Sequence, residues 1–119
     1  MYGLSDTEDL SFLAGAEVIQ VCIGRHQAAI HFFPEDVAIF VETDMAFRSP
    51  GGESMRYQAI PESASMLVSL LNAFVTRASV KAPGTLSLEF STGGVLEIED
   101  TSDRYESFRI KNGDRLIVV

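Results

Sequence analysis

Alternation of apolar and polar residues in the C-terminal half constrains the fold most strongly. Apolar side chains occupy every second position in two neighbouring runs, at Leu86, Leu88 and Phe90 and then at Leu96 and Ile98. Serine or glutamate fills the positions between them. A period of two places the apolar side chains on one face of a β-strand and the polar ones on the other. Because Thr92-Gly93-Gly94 separates the two runs, we predict a hairpin with one face in water.

Further short β-rich runs separated by turn residues indicate a mainly antiparallel fold. Residues 17–24, 28–33 and 37–42 form one predicted meander, and residues 75–80 precede the hairpin described above. Two more hairpins are predicted, one across Ser49-Pro50-Gly51-Gly52 and one across Asn112-Gly113. These runs and one helix predict an α+β protein with a large share of antiparallel strands.

A central helix is predicted after Pro61, which is favoured in the first turn because its missing N–H costs little there. Apolar residues recur at helical spacing and would cover one face of a sheet. They are Met66, Leu67, Leu70, Leu71 and Phe74. At the N-terminus, Ser5-Asp6-Thr7-Glu8 fits a capping box, so residues 1–12 are predicted as a short helix or a flexible leader, the helix extending from about Asp6 to near Gly15.

The two predicted meanders correspond to each other at an offset of 57 or 58 residues. Val18 matches Val75, Ile30 matches Leu88, and Ile39 matches Leu96. We therefore expect an internal repeat of two three-stranded units, in one continuous sheet or in two sheets that share a core. With 119 residues, residues 1–119 are expected to form a single domain.

The first meander differs from the second because both of its faces are apolar. Ile30 and Phe32 share one face of the predicted strand, whereas Ala29 and Phe33 share the other. In the next strand, Ala38 and Phe40 oppose Ile39 and Val41. A large apolar patch left bare is unusual for a monomer. Either other parts of the chain or a second copy, in a homodimer, should cover the Ala29/Phe33/Ala38/Phe40 face.

Charge and composition exclude some function classes. The formal net charge is −8, with 17 acidic and 9 basic residues, which argues against nucleic acid as a partner. No run of apolar residues is long enough for a membrane span, and the N-terminus lacks the features of a signal peptide. We expect a cytoplasmic protein. Cys22 is the only cysteine, and its apolar surroundings in the sequence predict a buried, unreactive thiol.

No motif for catalysis, a metal or a cofactor stands out, so none is expected. His26 and His31 are five residues apart and would point to opposite faces of a strand. Acidic residues at strand ends could hold a hard cation or carry out acid–base chemistry in a hydrolase. They are Glu42, Asp44, Glu97, Glu99, Asp100 and Asp103. The alternative is a solvated acidic edge that opposes aggregation of sheets.

Residues 103–108 form the most distinctive segment, Asp-Arg-Tyr-Glu-Ser-Phe. Charges of both signs beside two aromatic rings are typical of a contact surface, so Arg104, Tyr105, Glu106 and Phe108 are the candidate binding residues. The alternative is that Tyr105 and Phe108 anchor the last hairpin onto the core.

The chain resembles a family of small, uncharacterised bacterial proteins, a domain of unknown function. The resemblance rests on Leu13-x-Gly15-x-x-Val18-x-x-Val21, on Leu86-x-Leu88-x-Phe90-x-x-Gly93-Gly94-x-Leu96-x-Ile98, and on Arg104-Tyr105-Glu106-Ser107-Phe108. In sequences of this family a tryptophan often stands where this chain has Phe108, which is a departure from the pattern. The resemblance implies an intracellular, stand-alone domain without established activity.

Two functions lead on the sequence alone, and a hydrolase that uses the acidic strand ends is a third. The first is a non-enzymatic binding protein whose acidic surface meets a basic partner, as in immunity proteins that neutralise toxins. The second is a small-molecule-binding domain with a pocket between the helix and the sheet.

Overall fold

The computed structural model of the protein describes residues 9–33, 36–81, 84–99 and 107–119, which form ten strands and one short helix. In chain order the elements are a 3₁₀ turn (Ser11–Leu13), β1 (Glu17–Ile23), β2 (Ala28–Phe33), β3 (Val37–Val41), β4 (Met45–Arg48), β5 (Ser54–Tyr57), a 3₁₀ turn (Ile60–Ser63), α1 (Ala64–Val68), β6 (Val75–Lys81), β7 (Thr85–Phe90), β8 (Val95–Ile98), β9 (Phe108–Asn112) and β10 (Arg115–Val118). The predicted mainly antiparallel α+β class is confirmed.

The ten strands form two sheets of five strands each. Sheet A has the order β1-β2-β3-β9-β10, and sheet B has the order β5-β4-β8-β7-β6. Every pair of neighbouring strands is antiparallel. Each sheet therefore consists of one three-stranded meander extended by the hairpin that follows the other meander in the chain.

One hydrophobic core lies between the two sheets, because each sheet turns one set of alternating side chains inward. The inward residues of the central strands are fully buried, namely Ile30, Ile39 and Ile110 in sheet A and Leu86, Leu88, Leu96 and Ile98 in sheet B. This arrangement corresponds to the second of the two predicted alternatives, two sheets that share a core.

The helix after Pro61 is shorter than predicted, and its buried residues join the core between the sheets. It consists of the 3₁₀ turn and α1, and it contacts β5 and β1 at its two ends. Met66, Leu67 and Leu70 are buried as predicted, but Leu71 and Phe74 are exposed. Asn72 has a φ of 73°, a left-handed conformation that ends helical segments, so the residues that follow no longer share the helical face.

Local turns also depart from the predictions. Arg115 pairs with Asn112, so the last hairpin turns at Gly113-Asp114 rather than at Asn112-Gly113. Gly113 has a φ of 61° at the first turn position, where a type II′ turn requires glycine. Near the N-terminus the chain forms only the 3₁₀ turn Ser11–Leu13 where a helix was predicted, and residues 1–8 of that prediction lie outside the described residues.

In the part of the chain that the structure describes, no helix has both the length and the apolar character needed to cross a membrane.

Candidate functional site

The outer face of sheet B is charged, and two ion pairs join its strands. Lys81 on β6 contacts Glu97 on β8 at 2.5 Å between Nζ and Oε2. Arg77 on β6 lies 3.9 Å from its cross-strand neighbour Glu89 on β7. Both pairs lie at the surface, so each contributes little to stability. Their main effect is to keep this face in water.

Arg56 joins two of the predicted acidic strand-end residues. Its Nη2 donates to Asp44 Oδ2 and to Glu99 Oε1, both at 2.9 Å. The hydrogen bond to Asp44 and the charge of Glu99 raise the pKa of the Arg56 guanidinium above its ordinary value. Arg56 thus supplies the positive charge that a cation would bring to these carboxylates. Among the described residues there is no group of three side chains placed to hold a metal ion.

The outer face of sheet A has an apolar centre. Ala29 and His31 on β2 pair with Phe40 and Ala38 on β3, and all four side chains point away from the core. The two alanines are buried, whereas His31 and Phe40 are half-buried. This outer face of sheet A, called the apolar face below, is the surface that the sequence predicts to need cover.

Side chains of the same sheet cover part of this centre. The His31 and Phe40 rings meet edge to face with their centroids 6.1 Å apart. The Arg109 guanidinium carbon, on neighbouring β9, lies 5.2 Å from the Phe40 ring centroid. Part of the apolar centre is therefore covered by the chain's own side chains, including Arg109 on β9, a strand that follows the second meander.

The rim of the apolar face exposes large apolar side chains. Phe33 at the end of β2 is 56% exposed, and Leu116 and Val118 on β10 are 53% and 41% exposed. Cys22 on β1 is also exposed, which corrects the prediction of a buried thiol. The correction follows from topology, because β1 is an edge strand and Cys22 pairs with Ala29 on its outer side.

Charged residues flank the apolar centre on both sides. Glu17 on β1 occupies one edge, and Arg109 and Lys111 on β9 lie beyond β3. Lys111 Nζ also contacts Asp36 Oδ2 at 2.8 Å. Sequence reasoning found the members on β2 and β3 but missed Leu116, Val118 and Arg109. The available signal was the run Leu116-Ile117-Val118, which is apolar on both faces.

The structure describes only part of the predicted binding segment, residues 103–108. Arg104, Tyr105 and Glu106 lie outside the described residues. Phe108 is 1% exposed and belongs to the hydrophobic core, where its side chain anchors β9. The assignment of Phe108 to a binding surface is therefore wrong. Its ring anchors the last hairpin onto the core, which was the alternative interpretation. The physical reason is register, because Phe108 pairs with the inward-facing Val41.

One apolar hollow lies beside the rim of the apolar face. Its volume is about 350 Å³, and Phe12, Phe32, Phe33 and Val37 contribute to its walls. It lies between the first 3₁₀ turn and the end of the β2–β3 pair, away from α1. This is a different place from the predicted pocket between helix and sheet.

The described residues thus define an antiparallel two-sheet domain with one charged outer face and one apolar outer face. The chain belongs to a family of unknown function, DUF6188, which it matches over residues 10–119. The resemblance to a family of unknown function is thereby confirmed. Neither a curated protein nor a solved structure matches the chain.

Proposed function

We propose that this protein is a non-enzymatic interaction protein that binds another protein through the apolar face. The observation that carries the proposal is the contrast between the two outer faces. Sheet B turns paired charges to water, whereas sheet A exposes Phe33, Leu116 and Val118 around an aromatic centre. Arg109 and Lys111 on β9 lie between the aromatic centre and Leu116 and Val118. Exposed apolar side chains with aromatic residues and arginine among them are typical of contact sites in soluble proteins.

The two sheets serve as an internal comparison, because their strands are arranged alike. We infer that the two halves are an internal repeat, which the matching strand orders support. A second support is the irregular register at corresponding places, between Val18 and Gln20 in β1 and between Val75 and Arg77 in β6. An experimental structure in which the two halves superpose would check this inference. On that view, one scaffold presents two outer faces that differ mainly in side-chain chemistry.

The energetics of desolvation favour sheet A as the contact surface. Covering sheet B would remove its ion pairs from water, and the desolvation penalty of charges can exceed their mutual attraction. Covering the apolar face instead gains about 25 cal/mol for each Å² of apolar surface. Aromatic residues and arginine, such as Phe40 and Arg109 here, are enriched at interfaces.

A comparison of matched variants tests this proposal. Leu116→Glu places a charge on edge strand β10 of sheet A, and the control Ser54→Glu places the same charge on exposed edge strand β5 of sheet B. Each tagged variant is used to purify partners from cells that encode the chain, with quantitative mass spectrometry. We expect the wild type and Ser54→Glu to retain the same partner and Leu116→Glu to lose it. Equal recovery by all three proteins would refute the proposal.

The acidic-surface hypothesis remains a second candidate, and a specific contact favours it. The Glu99 amide donates to the Asp44 carbonyl at 3.1 Å, and the Glu42 amide donates to the Ser107 carbonyl at 3.0 Å. Residues 42–44, which lead from sheet A to sheet B, therefore lie beside Glu99 and Ser107, and three acidic residues come together there, Glu42, Asp44 and Glu99. A basic partner, such as a toxin that the protein neutralises, would bind there. In that case Glu42→Gln and raised salt, rather than Leu116→Glu, should release the captured partner.

A further inference from the structure

We infer that the outer face of sheet B carries a binding site for a small phosphorylated molecule, whose phosphate group is held by Arg48 and the Ser87 hydroxyl. The site is independent of the proposed function, because it lies on the outer face opposite the apolar face. Three observations on the described residues support it: a hollow bordered by basic side chains, an arginine whose charge is not neutralised, and a buried hydroxyl without a hydrogen bond.

The first observation is an open hollow on the outer face of sheet B. Its volume is about 370 Å³, which is at the small end of the range for ligand pockets. Three basic side chains border it together with polar ones, and these are Arg48, Arg77, Lys81, Ser79, Ser87 and Glu89. A phosphate ion alone would leave part of this volume empty, so room remains for the rest of a small molecule.

The strand register brings these side chains to one side of the sheet. One row across four neighbouring strands consists of Arg77 on β6, Glu89 on β7, Val95 on β8 and Arg48 on β4. Adjacent strands lie about 4.8 Å apart, so the two arginines start from strands roughly 14 Å apart. Both border the same hollow. A group seated over the middle of the row therefore meets a guanidinium on either side.

The second observation is that Arg48 keeps its full charge for a ligand. Arg77 lies 3.9 Å from Glu89, and Lys81 contacts Glu97 at 2.5 Å. In the part of the chain that the structure describes, no carboxylate and no hydrogen-bond acceptor contacts the exposed Arg48 side chain. The cluster thus has an excess of positive charge on a chain whose net charge is −8. The guanidinium fork suits phosphate, to which it can donate two parallel hydrogen bonds.

The third observation is the Ser87 hydroxyl. Ser87 is only 3% exposed, and it points away from the core because its neighbours Leu86 and Leu88 point inward. Its hydroxyl makes no hydrogen bond to any other described residue, and its Oγ atom is not sealed off from the hollow that it borders. Nearly buried polar groups normally have a partner. A ligand oxygen in the hollow would accept a hydrogen bond from this hydroxyl.

The arrangement of donors favours phosphate over a planar carboxylate. Arg48 reaches the hollow from β4, Arg77 reaches it from β6, and the Ser87 hydroxyl lies on β7 between them. A phosphate monoester presents three acceptor oxygens in different directions, so it can serve all three donors. The Glu89 carboxylate opposes an anion here. Its distance of 3.9 Å from Arg77 is longer than a hydrogen bond, so Arg77 can exchange it for phosphate at little cost.

An NMR titration of the purified full chain tests the inference. The probes are inorganic phosphate and glycerol 3-phosphate, and potassium chloride at equal ionic strength is the control. We expect saturable shifts of the Ser79 and Ser87 amide signals with both phosphates, and several-fold tighter binding of the ester. Shifts that chloride reproduces, or that do not saturate, would overturn the inference. Binding of inorganic phosphate but not of the ester would show an adventitious ion only.

A pair of arginine substitutions tests the role of Arg48. Arg48→Gln removes the charge that has no partner, so the dissociation constant for glycerol 3-phosphate should rise about tenfold, as expected for loss of a charge-assisted hydrogen bond. Arg25→Gln removes the same charge from an exposed turn between β1 and β2 and should leave the dissociation constant unchanged. Equal weakening by the two substitutions would show a general effect of net charge and overturn the site.

Two further variants test the lining of the hollow. Ser87→Ala should weaken binding of the ester several-fold without lowering the free energy of unfolding, because the hydroxyl has no partner among the described residues. Glu89→Gln removes the carboxylate that competes for Arg77, so it should strengthen binding several-fold. If Ser87→Ala lowered stability but left the affinity unchanged, the hydroxyl would have a structural role and the inference would fail.

Ser54→Glu and Leu116→Glu separate this inference from the proposed function. Ser54 is the cross-strand neighbour of Arg48, so Ser54→Glu offers Arg48 a carboxylate and should weaken phosphate binding while partner capture persists. Leu116→Glu should have the opposite effects. A wild type that does not bind phosphate, but whose partner capture depends on Leu116, overturns this inference alone. Phosphate binding that depends on Arg48, with partner capture independent of Leu116, overturns the proposed function alone.

Discussion

The guanidinium carbon of Arg109 lies 5.2 Å from the centre of the Phe40 ring, on the outer side of sheet A. The two residues are direct neighbours in the antiparallel pairing of β3 with β9. β3 belongs to the first meander, whereas β9 follows the second meander in the chain. This contact therefore links the two halves of the sequence on the surface proposed to bind a partner.

The contact between Arg109 and Phe40 should be energetically coupled. A double-mutant cycle with Arg109→Gln and Phe40→Leu isolates the pair from other interactions of either residue. We expect a coupling free energy of about 0.5–1 kcal/mol, the value for a half-exposed cation–π pair. Urea denaturation of the four proteins measures it. Additive effects of the two substitutions would show that the cation and the ring do not interact in solution.

Phe108 should behave as a core residue. Phe108→Ala removes a fully buried ring between the two sheets, and the cavity should lower the free energy of unfolding by about 3–5 kcal/mol. Leu116→Ala, at an exposed position, should change it by less than about 0.5 kcal/mol. Chemical denaturation compares the two variants. If Phe108→Ala were as stable as Leu116→Ala, the ring would not be packed in the core.

Gly94 should tolerate no side chain, because the Phe47 ring occupies the space. A Cβ atom at Gly94 would lie 2.6 Å from Cζ of Phe47 and 2.9 Å from Cε1. Gly94→Ala should therefore lower the free energy of unfolding by about 1–3 kcal/mol, as overpacking does. The double variant with Phe47→Leu should lose less than the sum of the two single variants. Strict additivity in denaturation experiments would exclude the clash as the cause.

Asp9 should make stability depend on pH at the start of the fold. The Ser11 backbone amide donates to Asp9 Oδ1 at 3.0 Å, and this bond is the main cause that lowers the pKa of the Asp9 carboxyl below its ordinary value. Because the folded state has the lower pKa, the ionised carboxylate stabilises the fold above the pKa of the unfolded chain. That contribution is lost as the pH falls through the pKa of the folded state.

The comparison of wild type with Asp9→Asn checks this dependence. Thermal melts should show a higher melting temperature for the wild type near neutral pH, and the difference should disappear in acid. Titration of the Asp9 carboxyl by NMR should give a midpoint below that of an unstructured peptide. A difference in melting temperature that persists unchanged in acid would contradict the assigned cause.

Much of the secondary structure could be predicted from the sequence because its signals are local. The alternation of Leu86, Leu88 and Phe90 with polar residues marks a strand with one buried face, and that face is buried. Glycines in the turns separate the strands of most hairpins. By contrast, the end of α1 was not predictable from the stripe that includes Leu71 and Phe74. Apolar spacing continues past Val68, whereas the chain reverses at Asn72 to form contacts with β1.

The candidate site was predictable only in part. The doubly apolar character of β2 and β3 indicated a face that needs cover, and the structure shows those residues at the centre of one outer face. Arg109, Leu116 and Val118 join them only because β9 pairs with β3. That pairing connects residues about 70 positions apart, and no local pattern specifies it. The exposure of Cys22 likewise depends on β1 lying at an edge.

The sequence by itself determined most of the strands, the approximate places of the turns and most of the apolar residues that bury together, because these depend on period and turn chemistry over a few residues. Only the tertiary structure decided which sheet each hairpin joins, and therefore which residues share an outer face. The reason is that a strand with one apolar face can satisfy its backbone hydrogen bonds at either sheet. The choice follows from how all the inward faces pack into one core.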